Sequence, residues 1–341
     1  MADDGSFSRS STICFFLILM LSEVIGIRTG DHVFTRRNLL QLLNDQGLTK
    51  FLDLITKAEI QGTFTSTEEM TVFAFNNTAF DILPSERKTA IRKKNREETE
   101  NFVKFHTVYK ERILTENMLD NSRLKSNGLN QNILFVNKKR LQIGVDYDKT
   151  EQIFINGARI VKRDIYATNG ILQIIDRVLE ITSNKMAVPY LDHPDDPRVK
   201  GKQFYDLVRH SEARDELKNE AQLTLFVPTD KAMERINKEK LDQQRQNPQA
   251  LKEIILKHRI SNQVIFTSTV EFGTQWTPNS NIPILNKNTY EQVFVTSGDT
   301  TAQIVLGNVT VGNGVIHMID NLLGFTYNNV MEQIIGDPQL S

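Results

Sequence analysis

Six histidines, one cysteine and a scatter of carboxylates are among the side chains of this 341-residue chain able to do acid–base, nucleophilic or metal chemistry. Their spacing narrows the options. His32, His106, His193, His210, His258 and His317 form no HxH, HxxxH or HExxH pattern, so the sequence sets no two imidazoles at a metal-ligand spacing. Cys14, the only cysteine, lies in an apolar N-terminal run, and the rest of the chain has no thiol for a nucleophile or a zinc site. No GxSxG elbow, Walker loop or dinucleotide glycine pattern occurs, and Gly312-Asn-Gly314 offers too few amides to cradle a phosphate. His106 and His258 are read as hydrogen-bonded core imidazoles on apolar helix stripes, with no second ligand at i+3 or i+4 on the same face. Asp176 and Asp320 are read as bonding within their own domains, to backbone amides. Arg92-Lys93-Lys94 with Arg96 is a solvated helix end, with a heparin-like contact as the sharper alternative. These readings predict no catalytic residue, no metal and no cofactor, and a chain that is not an enzyme.

The elements that hold these residues come in two copies. Thr71-Val-Phe-Ala-Phe-Asn-Asn-Thr-Ala-Phe80 returns as Thr224-Leu-Phe-Val-Pro-Thr-Asp-Lys-Ala-Met233. Asn169-Gly-Ile-Leu-Gln-Ile-Ile-Asp176 returns as Asn313-Gly-Val-Ile-His-Met-Ile-Asp320. The offsets, 224 − 71 = 153 and 313 − 169 = 144, preserve order and nearly preserve spacing, which marks a duplicated domain rather than a short solenoid repeat.

Within each copy the periodicity changes along the chain. Leu48, Phe51, Leu52 and Ile55 fall at i, i+3, i+4 and i+7 and predict an amphipathic helix. Val72–Phe75 and Leu225–Val227 are continuous apolar runs that suit strands buried on both faces, with Asn76 and Thr229 as helix N-caps behind them. Phe102, Phe105, His106 and Tyr109 predict a second helical stripe, matched by Leu251, Ile254, Ile255 and His258. Asn156-Gly157 predicts a tight hairpin, and Ser297-Gly298 a weaker counterpart. Helices first and hairpin strands later predict an α+β class with mainly antiparallel sheet. Pro189, Pro194 and Pro197 mark residues 184–200 as a short, stiff linker between domains at 33–183 and 201–327, followed by a polar tail at 328–341.

The remaining features concern location. Ile13–Leu21 is apolar but shorter than the ~20 residues needed to span a bilayer, so residues 1–28 read as a secretory signal, with a buried first helix as the competing reading. No later run is long enough to span a membrane. Asn76-Asn77-Thr78 and Asn308-Val309-Thr310 are N-glycosylation sequons at Asn76 and Asn308. With 41 basic and 42 acidic residues the net charge is −1, which gives no field to attract nucleic acid or an anionic membrane.

Both blocks, at 71–80 and 224–232 and at 169–176 and 313–320, resemble the two signature motifs of fasciclin-type domains, over about Val33 to Phe325. The resemblance implies two tandem domains, each a compact β-sandwich or wedge with packed helices, in a secreted or cell-surface adhesion protein. It further implies binding to integrin-type receptors through an Asp-Ile pair ahead of the second block, here Asp164-Ile165, and matrix or homophilic partners. A family Tyr-His pair linked to adhesion stands here as Phe105-His106 and Lys257-His258, without the phenol. The second copy has Asn308-Val309 where the first has Asp164-Ile165, so the receptor role is carried to the first copy alone. The alternative is a structural matrix component that binds collagen, glycan or itself.

Overall fold

The computed structural model describes residues 37–129, 132–140, 151–181, 183–270 and 283–324. The expected signal at 1–28, with Cys14, and the tail at 328–341 lie outside them. In chain order the strands are β1 Met70–Phe75, β2 Thr107–Tyr109, β3 Arg123–Lys125, β4 Ile133–Arg140, β5 Glu151–Ile155, β6 Ala158–Ala167, β7 Gly170–Ile175, β8 Leu223–Pro228, β9 Arg259–Ser261, β10 Ile284–Lys287, β11 Val293–Ser297, β12 Thr300–Val311 and β13 Gly314–Ile319. The described residues fall into two compact units. One takes those within Met1–Met118, Ser126–Gln131 and Arg159–Leu179, the other those within Leu119–Lys125, Asn132–Ala158 and Glu180–Ser341.

The first unit is organised by its two sequence blocks, which become neighbouring parallel strands. Met70–Phe75 of β1 pairs residue for residue with Gly170–Ile175 of β7, and all twelve residues are buried. Antiparallel partners flank this pair: β2 beside β1 and β6 beside β7. Helices Leu39–Asp45, Thr49–Ala58 and Arg96–Phe105 supply Leu39, Leu43, Phe51, Ile55 and Phe102 to the core. Phe51 meets Phe75 edge-on at 5.2 Å, and complete burial of such a side chain stabilises by about 2–3 kcal/mol. The Thr49–Ala58 helix is the amphipathic helix that its spacing predicts.

The second unit repeats the plan, with β8 parallel to β13, flanked by β9 and β12, and β11 and β10 completing an antiparallel run beyond β12. It also contains the antiparallel set β3, β4 and β5. Phe135 of β4 is buried in a small cluster with Val264, Phe266 and Val315. The parallel pairs modify the expectation of a mainly antiparallel sheet: each copy is antiparallel except where its two blocks meet. The architecture is mixed α+β in two copies.

Local signals act as their chemistry requires. Asn76 and Thr229 cap the helices behind β1 and β8 by accepting from Ala79 N at 2.8 Å and Ala232 N at 3.1 Å. Asn156 and Gly157 take φ of 45° and 76°, the positive pair that a two-residue hairpin needs. In the later hairpin the turn residues are Gly298, at φ 58°, and Asp299, because Ser297 already pairs with Thr300.

Two expectations are corrected. Residues 184–200 are not a spacer. Ala187–Asp192 is a helix whose Val188, Tyr190 and Leu191 join the core of the second unit, with Pro189 in the first turn where its missing N–H costs nothing. The helical stripe ending at Tyr109 stops earlier: the helix closes at Phe105, His106 is its C-cap, and Tyr109 lies in β2. Likewise His258 stands beyond the helix Pro248–Leu256.

Candidate functional site

The segment ahead of β7 is shaped by an irregularity in β6. Its register against β7 shifts between Lys162 and Ile165, and Asp164 sits there in the left-handed region at φ 52°. The bulge turns its side chain onto the 3₁₀ turn at Thr115–Asn117. Asp164 Oδ1 accepts from Thr115 N at 2.9 Å and from Gln173 Nε2 at 2.7 Å, while Oδ2 accepts from the Thr115 hydroxyl at 2.5 Å. Its own N–H donates to Gln173 Oε1 at 2.9 Å, and Gln173 Nε2 also reaches Ile113 O at 3.1 Å. Both carboxylate oxygens are thus engaged within the unit. Ile165 is half-buried opposite Leu172, and only Arg163 beside them is exposed. Burial raises the pKa of the neighbouring Tyr166 phenol, with the charges of Asp164 and Glu116 acting in the same direction.

The second copy builds the same latch from different atoms. Asn308 also lies at a register shift in β12, with φ 63°. Its Oδ1 accepts from Thr267 N at 2.9 Å, and its Nδ2 donates to Thr267 Oγ1 at 2.7 Å, so the hydroxyl that donates in the first copy accepts in the second. His317 replaces Gln173. Its Nε2–H donates to Ile265 O at 2.9 Å, and Nδ1 accepts from Asn308 N at 3.3 Å. Enclosure without a counter-charge lowers the His317 pKa to about 4, which keeps the ring neutral.

His106 and His258 are pins of another kind. His106 Nδ1–H donates to Phe102 O at 2.9 Å and Nε2 accepts from Leu179 N at 3.2 Å. His258 does the same with Ile254 O at 2.8 Å and Leu323 N at 2.9 Å. Desolvation lowers both to a pKa of about 4 against the single favourable carbonyl bond, and Lys257 adds to the lowering at His258. Each ring ties the segment leaving its copy to a helix end. Phe105 is fully buried beside His106, so this pair presents no surface.

The polar residues of the second block close each copy at its other end. Asn169 Oδ1 accepts from Leu39 N at 2.9 Å and Asn313 Oδ1 from Ala187 N at 2.8 Å, which fixes the first described helix of each copy. A Cβ on Gly170 or Gly314 would collide with the carbonyl oxygen of Met70 or Leu223. Asp176 and Asp320 bond backbone amides, Arg159 N at 2.8 Å and Gln303 N at 2.7 Å, each inside its own unit as the sequence reading has it. In the first block Thr71 and Thr224 accept from Ile113 N and Ile265 N.

Sequence reasoning missed Thr115, Thr267, Gln173 and His317. Gln173 and His317 left a signal: each is a polar residue at the same place in an otherwise apolar run. Among the described residues no three His, Cys, Asp or Glu side chains gather to hold a metal ion.

A strand pairing that joins two distant sequence blocks, repeated with its pins in both copies, defines a tandem of one domain type. The fasciclin domain model matches residues 46–181 and 200–325, and the chain belongs to the fasciclin-domain family. It is 25% identical over 325 residues to transforming growth factor-beta-induced protein ig-h3 of Oryctolagus cuniculus, covering 92% of this chain and 43% of that protein. It is 27% identical over 198 residues to Fasciclin-1 of Schistocerca americana, covering 54% and 28%. Periostin of Homo sapiens is 26% identical over 296 residues, covering 86% and 32%. The chain therefore spans less than half the length of these relatives. A solved FAS1 domain pair from the insect cell adhesion molecule Fasciclin I aligns over 82% of this chain and 97% of its own, at 21% identity and a TM-score of 0.35.

Proposed function

We propose that this chain is a non-enzymatic adhesion or matrix protein, exported through residues 1–28, in which two fasciclin domains engage integrin-type receptors and matrix components. The supporting observation is the tandem itself: two copies of a domain shared with transforming growth factor-beta-induced protein ig-h3, Fasciclin-1 and periostin, each copy with its ring nitrogens and block carboxylates committed to holding its own backbone. Two weak sites on one chain raise avidity through effective concentration, without any new contact. In the receptor reading the Asp164 carboxylate completes the coordination of a receptor-bound cation and Ile165 fills an apolar pocket.

A second reading, a matrix component that binds collagen, glycan or itself without a receptor, is favoured by one observation. Both Asp164 oxygens are already bonded inside the unit. Asp164→Asn separates the two readings, because Asn308 shows that an amide closes the same latch. Cells are plated on purified wild-type and variant protein with and without a chelator of divalent cations. In the receptor reading, attachment is several-fold lower for Asp164→Asn and lost on chelation, while thermal unfolding is nearly unchanged. Attachment that survives both treatments rejects the receptor reading and leaves matrix binding.

A further inference from the structure

We propose that Asn76 is the N-linked glycan acceptor of this chain and that the sequon at Asn308 stays unmodified in the folded protein. The inference rests on the proposed export of the chain, since the transfer takes place in the secretory compartment. The two sequons are equivalent as strings and opposite in structure. Asn76 follows β1 and uses only its Oδ1, which caps the next helix by accepting from Ala79 N at 2.8 Å. Among the described residues its Nδ2 has no hydrogen-bond partner, and it is not among the fully buried unpaired amide atoms, so the nitrogen that would carry the sugar keeps access to solvent. Thr78, the hydroxyl residue of the sequon, is exposed. A sugar on Nδ2 leaves the Oδ1 cap intact.

Asn308 has neither freedom. Its Nδ2 donates to Thr267 Oγ1 at 2.7 Å, its Oδ1 accepts from Thr267 N at 2.9 Å, and its backbone is left-handed within β12. A glycan there displaces the side chain from Thr267 and leaves a half-buried turn without its donor and acceptor. In the transfer, the Asn Nδ2 attacks the anomeric carbon of an oligosaccharide carried on a polyprenyl pyrophosphate. The N–C bond forms, the C–O bond to phosphate breaks, one proton leaves the nitrogen and the lipid pyrophosphate departs. A chain so modified at Asn308 before folding cannot close the second latch, whereas one modified at Asn76 folds to the same cap.

The 341-residue chain is expressed in eukaryotic cells as it stands and, in parallel, behind an added export signal. The protein recovered from the medium is digested and its two sequon peptides are weighed before and after removal of N-glycans. The expected result is one glycan, at Asn76, lost in Thr78→Ala and unaffected by Thr310→Ala. A glycan on Asn308, or a bare Asn76 peptide in exported protein, overturns the assignment. Retention of the unaltered chain in the cytosol defeats the export reading instead, and the preparation with the added signal still decides between the two asparagines.

Discussion

Asp164 and Asn308 hold the same bend with opposite use of one hydroxyl, and the residue across the sheet explains the difference. In the first copy three donors converge on the carboxylate: Thr115 N, the Thr115 hydroxyl and Gln173 Nε2. In the second, the only ring proton of His317 is committed to Ile265 O, so it has none to give. A carboxylate there would lose a third of its donors, at a cost of about 1–3 kcal/mol for a partly buried oxygen. Asparagine avoids this because it brings its own N–H. An acid at this bend therefore depends on Gln173 across the sheet, whereas an amide does not.

The largest effect is expected where the copies are alike: Gly170→Ala and Gly314→Ala should each abolish cooperative unfolding of the unit concerned, because the added carbon meets a backbone oxygen that cannot move aside. Circular dichroism on heating checks this, and tolerance in one copy would show that the shared scaffold is not shared there.

Acid should separate the units next. His106, His258 and His317 are held neutral with pKa values of about 4 against an ordinary 6.5. Below pH 6.5 the unfolded chain takes up protons that the folded chain refuses. Stability is therefore complete above 6.5 and falls as pH drops toward 4, by up to about 3 kcal/mol per histidine. Among the described residues the second unit holds two such rings and the first holds one, so hydrogen exchange between pH 7 and 4.5 should show the second unit opening first. Opening at the same pH would contradict the assigned tautomers and bonds.

Truncating the latches comes third. Asp164→Ala strands three donors and should cost about 3 kcal/mol, against about 1.5 kcal/mol for Asn308→Ala, both read from urea unfolding. The smallest and most discriminating effect is the exchange of partners. Gln173→His alone should destabilise by about 2 kcal/mol, and adding Asp164→Asn should recover about 1 kcal/mol. Strict additivity of the two changes would remove the explanation given for the charge.

What the sequence made legible was fixed by neighbours along the chain. The continuous apolar runs became strands buried on both faces, Asn76 and Thr229 became caps, and Asn156-Gly157 became a turn, because each depends on a few adjacent residues. The latches were not legible because their partners lie far away: Asp164 meets Thr115 across 49 positions and Asn308 meets Thr267 across 41. Residues 184–200 failed for a related reason. Proline density describes local stiffness, yet Val188, Tyr190 and Leu191 are drawn into a core whose other members come from across the second unit. The histidines were legible as buried and illegible as pins, since the amides they accept from, Leu179 and Leu323, lie 73 and 65 residues downstream.

The small cluster of Phe135 with Val264, Phe266 and Val315 also bears on how the chain is made. The first unit has all its described strands once Leu179 has emerged from the ribosome, but Val264, Phe266 and Val315, the other buried members of the Phe135 cluster, have not yet been made. At about 5–20 residues per second, the wait from Phe135 to Val315 is roughly 10–40 s. For that interval the apolar first half of β4 lacks the later side chains that help to bury Phe135. A chaperone that shields this segment would act in that window.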